Sequence, residues 1–191
     1  MIPLDGNWAV GFAYDLHTAY SNYLGVDEYG KEKFENIYTE MGYLIYSFKY
    51  KSDKNSLPKI INFLDKIRWP SNFDFIIPIP PTDKTRSFQP VTEIALALGM
   101  RLGIPVLTDA LIKTPGGKPL KNISEPEERE NALRDTVAVN DGSRLHGKSI
   151  LLIDDLYRSG ATLRISTDLL MKVAQVRVVS VLTMTKTRSH R

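Results

Sequence analysis

The chain has 191 residues, room for one domain with a sizeable core, and its 42% hydrophobic and 25% charged residues are a folded globular balance rather than a disordered one. It contains no cysteine, which excludes a disulfide scaffold, cysteine-ligated zinc, iron–sulfur clusters and thiol catalysis. Lys plus Arg is 25 against 22 for Asp plus Glu, so a net charge of +3 does not by itself imply a nucleic-acid partner, and an anionic small molecule fits it equally well.

Asn7 to Tyr14 alternates loosely and is rich in aromatics, which predicts a strand or an extended arm. Asp15 to Lys33 holds Gly25 and Gly30 among many polar residues and reads as loop. Glu40 to Lys51 places Leu44, Ile45 and Phe48 at helical spacing. A second helix is predicted over Ser56 to Arg68, with Leu57, Ile60, Ile61 and Leu64 on one face. Trp69-Pro70 ends it, because a residue before proline is pushed out of the helical region. Phe73 to Ile79 is a nearly continuous apolar run, which suits a buried parallel strand. Val91 to Leu102 is helical and Gly103 stops it. Pro105 to Leu107, Ala110 to Ile112 and Thr136 to Val139 read as short strands. Ser149 to Ile153 reads as a buried strand ending in two aspartates, Ala161 to Val173 as a helix and Val176 to Met184 as the last strand. This order predicts an α/β sheet with helices on its faces. Lys113 to Arg134, with Pro115-Gly116-Gly117 and Pro119, is a connection of the length that is usually functional or mobile. Within it Ser124-Glu125-Pro126-Glu127 spells a capping box, so Ser124 starts a short helix. No apolar run reaches the roughly 20 residues of a membrane span, and Met1-Ile2-Pro3-Leu4-Asp5 does not read as a signal peptide, so a cytoplasmic protein is expected.

The most informative stretch is Ile150 to Leu163, ILLIDDLYRSGATL. Four aliphatic residues make a strand, and Asp154 and Asp155 stand at its carboxyl end, where ligands bind in open α/β sheets. Tyr157, Arg158, Ser159, Gly160, Ala161 and Thr162 then lead into a helix whose first N–H groups and dipole make a phosphate site. Gly160 lets the backbone come close to an anion, and Ser159 and Thr162 can add hydroxyl donors. The aspartates cannot serve that phosphate, since like charges repel. They suit a neighbouring polyol whose vicinal hydroxyls donate to carboxylates. A phosphate beside a diol is a ribose 5-phosphate. Substituting either carboxylate, as in Asp154→Asn or Asp155→Asn, is expected to weaken such a ligand and spare the fold. Relief of repulsion between the two is expected to stabilise the unliganded protein slightly.

This stretch resembles the 5-phosphoribosyl-1-diphosphate (PRPP) motif of type I phosphoribosyltransferases, two acidic residues after a hydrophobic strand followed by a Thr/Ser-Gly-x-Thr loop. Tyr43 to Asp53, Ile76 to Arg86 and Glu128-Arg129-Glu130-Asn131 follow the order of segments in the ComF-like members of that family. The resemblance implies a type I phosphoribosyltransferase-like fold, a mostly parallel sheet with helices on both faces and a flexible hood loop. It implies a single domain over 1–191, with an N-terminal arm and helices over 1–70 and the core over 71–187. It implies binding of PRPP with Mg²⁺, held mainly through PRPP, and transfer of the phosphoribosyl group to a nitrogen nucleophile such as a nucleobase. Asp154 and Asp155 would take the catalytic place at the ribose. Residues Tyr157 to Thr162 would hold the 5-phosphate, and Pro81, Thr82, Asp83, Lys84 and Arg86 the diphosphate. Lys118, Lys121 and Arg129 would reach in from the hood. Two features depart from the family. Many members carry a Cys-rich zinc segment that is absent here, and Arg158 stands where some purine-salvage enzymes place an acidic base, a role guanidinium cannot fill.

Gly142-Ser-Arg-Leu-His-Gly147-Lys148-Ser149 matches the Walker A spelling. A strand follows Ser149 where a helix is required, so a turn into a strand is expected and a P-loop NTPase is the minor alternative. Tyr43, Tyr46, Phe48 and Tyr50 with Lys49 and Lys51 could stack single-stranded bases, but Leu44, Ile45 and Phe48 favour a helix packed on the sheet. His17, His146 and His190 show no metal-ligand spacing, so no transition-metal site is expected. The other readings are a non-catalytic PRPP sensor and, from family analogy alone, an accessory protein of DNA uptake. A homodimer is possible.

Overall fold

The structure, a computed structural model, describes residues 1–69, 72–81, 83, 88–114 and 136–188. In chain order the elements are β1 (Ile2–Pro3), β2 (Val10–Leu16), β3 (Thr18–Val26), β4 (Glu32–Tyr38), α1 (Glu40–Tyr50), α2 (Ser56–Leu64), β5 (Phe75–Pro78), α3 (Pro90–Leu102), β6 (Leu111–Lys113), β7 (Val137–Val139), β8 (Ser149–Tyr157), α4 (Ala161–Lys172) and β9 (Val178–Lys186).

The central sheet has the order β1-β2-β9-β8-β5. Every pairing in it is parallel except β1 with β2. β8 lies inside this sheet, and its apolar run explains why. Successive side chains leave a strand on opposite faces, so Ile150 and Leu152 enter one core and Leu151 and Ile153 the other, all four fully buried. The first core gathers Trp8, Leu111, Val137, Leu163 and Leu170, under α4 and the small β6–β7 pair. The second gathers Met41, Phe48, Ile60, Leu64 and Leu98 from α1, α2 and α3. Helices therefore cover both faces, as expected.

Local signals place most helix boundaries. The Thr39 hydroxyl accepts from the Gly42 N–H and starts α1. Pro90 opens α3, and Gly103, left-handed at φ 69°, ends it. α2 stops at Leu64, short of the predicted Arg68.

Three expectations are corrected. Asp15 to Lys33 is not a loop: Thr18–Val26 pairs antiparallel with Glu32–Tyr38 as a hairpin, closed by a turn in which Asp27 Oδ1 accepts from the N–H groups of Tyr29 and Lys31 at 3.0 and 2.9 Å. Neither face of this ribbon is buried, so no apolar alternation marked it. Pro105 to Leu107 is not a strand but a single parallel bridge between Ile76 and Val106. β8 runs four residues beyond Ile153, because Asp154, Leu156 and Tyr157 keep their register with Thr183, Thr185 and Lys186 of β9. The capping-box segment at Ser124 lies outside the described residues.

Candidate active site

Both aspartates belong to the strand, and the strand divides them. Asp155 is buried on the face that α1 covers, and the Lys49 ammonium of α1 bonds its Oδ2. Asp154 is half-buried, and its Oδ1 accepts from the Asp155 N–H at 2.8 Å. Burial first, then the Asp155 charge, pushes the Asp154 carboxyl up to about 7, against the pull of that N–H, Lys49 and Lys113. Burial also lowers the Lys113 ammonium, which Asp154 partly restores. The site therefore holds one paired carboxylate and one that changes charge near neutrality.

The expectation that neutralising either aspartate relieves repulsion is corrected for Asp155. Lys49 already offsets its charge, so Asp155→Asn strands an ammonium that is three-quarters buried. Lys49→Met, which leaves the buried carboxylate alone, is expected to destabilise the protein by about 2–4 kcal/mol, read as a lowered urea midpoint with an unchanged slope.

A cleft of about 300 Å³ opens at this carboxyl edge of the sheet. It brings Asp154, Asp155 and Thr162 together with Lys49, Lys113 and the segment after β5. Of the five residues expected to hold the diphosphate, Pro81 and Asp83 line the cleft, and the Asp83 carbonyl accepts from Gln89 Nε2 at 2.8 Å. Thr82, Lys84 and Arg86 lie outside the described residues, as do the expected hood residues Lys118, Lys121 and Arg129.

Behind the cleft, Gly160 caps α4 in the left-handed region at φ 74°. A side chain there would meet the Tyr157 ring at 2.5 Å. Tyr157 is thus the floor of the turn: its ring is buried under Gly160, its hydroxyl donates to the Asp5 carbonyl at 3.4 Å, and its carbonyl accepts from the Thr187 N–H at 2.9 Å. Arg158 and Ser159 are exposed, while Ala161 and Thr162 are half-buried in the first turn. The first backbone bond of the helix runs from Arg164 N–H to the Gly160 carbonyl. The N–H groups of that first turn have no partner within the helix, the arrangement that accepts an anion.

The sequence did not mark three contributors. Lys49 and Lys113 reach the aspartates from elements far away in the chain. His17, just after β2, lies 3.0 Å through Nδ1 from Thr185 Oγ1, which donates to the Asp155 carbonyl at 3.2 Å. Burial lowers the His17 pKa.

The Walker-like segment sits at the other end of β8. Ser143–Leu145 is one turn of 3₁₀ helix, Lys148 Nζ lies 3.5 Å from Asp74 Oδ1, and Ser149 begins the strand, as expected. Lys148→Ala is expected to leave ligand affinity within twofold of wild type by calorimetry and to cost at most about 1 kcal/mol, the range of an exposed ion pair. On α1, Leu44, Ile45 and Phe48 are buried as a packed helix face requires, and Tyr43 and Tyr50 are exposed.

No protein-family model and no curated protein matches the chain. Among solved structures, the Bacillus subtilis glutamine PRPP amidotransferase complexed with ADP and GMP matches over 83% of this chain at 18% identity, with a TM-score of 0.53. The chain has the type I phosphoribosyltransferase fold. It spans 35% of the amidotransferase's length. An adenine phosphoribosyltransferase from Thermoanaerobacter pseudethanolicus matches with a TM-score of 0.49 at 18% identity, over 87% of this chain and 95% of that one. An orotate phosphoribosyltransferase from Aeropyrum pernix matches at 0.43 and 14%, over 84% and 73%. Within this phosphoribosyltransferase fold, the described part of the cleft carries two carboxylates on β8, two lysines and, through Thr162, the first turn of the helix that Gly160 caps. Among the described residues, no three acidic or histidine side chains group as a metal cage.

Proposed function

We propose that this protein binds PRPP with Mg²⁺ and transfers the phosphoribosyl group to a nitrogen nucleophile, releasing pyrophosphate. The observation that supports it is the juxtaposition, in one cleft, of Asp154 and Asp155 with the glycine-capped first turn of α4. In the reaction the bond from the anomeric carbon to the diphosphate oxygen breaks, and its electron pair leaves with the diphosphate. The nucleophile's nitrogen forms the new bond and loses its proton. Asp154 and Asp155 accept hydrogen bonds from the ribose hydroxyls and set a negative field beside the cationic ring. The N–H groups from Arg158 to Thr162 hold the 5-phosphate, with the Ser159 and Thr162 hydroxyls. The segment from Pro81 to Arg86 holds the diphosphate. Mg²⁺ enters as part of the substrate and offsets the leaving group's charge. The donor set suits that, since Lys49 already occupies an oxygen of Asp155. Asp154, with its carboxyl near 7, is suited to take a proton at neutral pH.

The ComF-like placement is proposed on Tyr43 to Asp53 and on the described part of Ile76 to Arg86. Glu128 to Asn131 lies outside the described residues. Calorimetry with PRPP and Mg²⁺, followed by pyrophosphate release across a panel of nucleobases, tests the reading. Saturable binding with release on one base is expected. Binding without release on any base would leave a PRPP sensor, and no binding would sink both. Salt-dependent binding of DNA would support the accessory role instead.

A further inference from the structure

We infer that His17 holds the acceptor, through a hydrogen bond between its Nε2 and the nitrogen heterocycle that takes the phosphoribosyl group. The inference rests on the phosphoribosyl transfer proposed above and adds the residue that meets the acceptor.

The sheet order sets the side. β5, β8, β9 and β2 run parallel, so their carboxyl ends share one edge. The diphosphate segment follows β5, and both aspartates stand on β8. Displacement at the anomeric carbon aligns the nucleophile opposite the leaving group. With the diphosphate beside β5 and the ribose at β8, the acceptor comes in from the side of β9 and β2. His17 stands at that end of the edge. β2 finishes at Leu16, paired with Lys186 of β9, and the His17 N–H donates to the Lys186 carbonyl at 2.8 Å.

The ring is held, and one of its nitrogens is left over. Nδ1 lies 3.0 Å from Oγ1 of Thr185, a fully buried residue. Tyr38 meets the imidazole edge-on with centroids 5.3 Å apart, and Tyr38 itself stacks on Tyr46 at 5.0 Å. The two imidazole nitrogens diverge, so with Nδ1 turned to the sheet Nε2 faces away from it. Among the described residues Nε2 has no hydrogen-bond partner. A half-buried ring fixed on one side is a preorganised contact on the other.

The charges around it belong to the same site. Burial lowers the His17 pKa, Asp155 opposes that, and Lys49 and Arg158 add to it. The imidazole is therefore neutral at pH 7. A neutral ring suits this place, since an imidazolium would oppose the positive charge that develops on the ribose.

A purely structural histidine would need Nδ1 alone, to tie the end of β2 to β9. The two roles use different nitrogens, so they separate by substitution. An asparagine amide reaches the position of Nδ1, and a glutamine amide that of Nε2.

Calorimetry on the full chain compares ribose 5-phosphate with the 5′-monophosphates of adenosine, guanosine, uridine and cytidine. These carry a base in the acceptor's place. In wild type at least one base is expected to improve on ribose 5-phosphate by roughly tenfold, the worth of one hydrogen bond. His17→Asn is expected to remove that gain and leave ribose 5-phosphate within twofold of wild type. His17→Gln is expected to keep most of it. In unsubstituted protein, the His17 ring signal among the chain's three histidines is expected to shift with that nucleotide and not with ribose 5-phosphate. That measurement decides if His17→Asn misfolds. Binding of ribose 5-phosphate with no gain from any base, or a gain that survives His17→Asn, would overturn the inference and leave the phosphoribosyl site standing. Equal loss of ribose 5-phosphate in His17→Asn would also overturn it. No binding of ribose 5-phosphate to wild type would sink the site and the inference together.

Discussion

Asp154→Asn is expected to weaken PRPP binding by roughly 10- to 150-fold at pH 8, the effect of losing a charge-assisted hydrogen bond worth about 1.5–3 kcal/mol. Its pH dependence is the sharper test. The wild-type carboxyl titrates at about 7, and only the ionised form accepts from a ribose hydroxyl with full charge. Wild-type affinity should therefore fall as pH drops from 8 to 6, while the asparagine variant should lose that dependence. Stability moves the other way. A folded pKa raised above the ordinary 3.8 of an aspartate adds stability that is complete below about pH 4 and is lost as pH rises through about 7. The variant removes this loss, so without ligand it should be more stable than wild type at pH 8. A tenfold change in an acid's ionisation constant is worth about 1.4 kcal/mol, and water entering from the cleft moderates the total, so a gain of about 2 kcal/mol is expected. Calorimetry at pH 6, 7 and 8 and urea unfolding at pH 5 and 8 read the two effects. Equal affinity and an equal pH profile in both proteins would mean that Asp154 does not meet the ligand.

Gly160→Val is expected to be the most damaging single change near the site. The residue holds φ 74°, where a β-branched side chain is strongly disfavoured, and its new Cβ would meet Tyr157 at 2.5–2.8 Å. That ring is buried and cannot swing clear without opening the core around it. Left-handed backbone costs about 1–2 kcal/mol, and overpacking adds about 1–3 kcal/mol, so a loss of roughly 3–4 kcal/mol in urea unfolding is expected. Any relaxation moves the first turn of α4, so PRPP affinity should fall by more than tenfold even where the variant folds. Gly160→Ala tests the same geometry with less bulk and should lose less stability. Wild-type stability and affinity for Gly160→Val would show that the turn is not the ligand's seat.

The chain itself carries the strand-and-turn part of the site. ILLI forces β8 into the sheet because four consecutive apolar residues need cover on both faces, and the carboxyl end of a buried parallel strand is a crevice whatever follows it. Gly160 after Ser159 fixes the turn, because a left-handed cap needs glycine. The false Walker match was legible for the same reason: the residues after Lys148 can only be a strand. The β3–β4 hairpin was not legible. Side-chain alternation encodes a buried face, and this ribbon buries neither, so its tyrosines looked like loop.

What the sequence determined alone is thus local: the buried strand, the adjacent carboxylates, the glycine-capped helix start and the helix stop at Gly103. What the tertiary structure decided is the chemistry of the pair. Asp154 and Asp155 are identical neighbours in the chain, and the pleat sends them to opposite faces. One meets Lys49 from more than a hundred residues upstream, and the other is left half-buried to titrate near neutrality. A contact set by the packing of α1 on the sheet has no local spelling, because it depends on where two distant elements come to rest rather than on the residues beside either carboxylate.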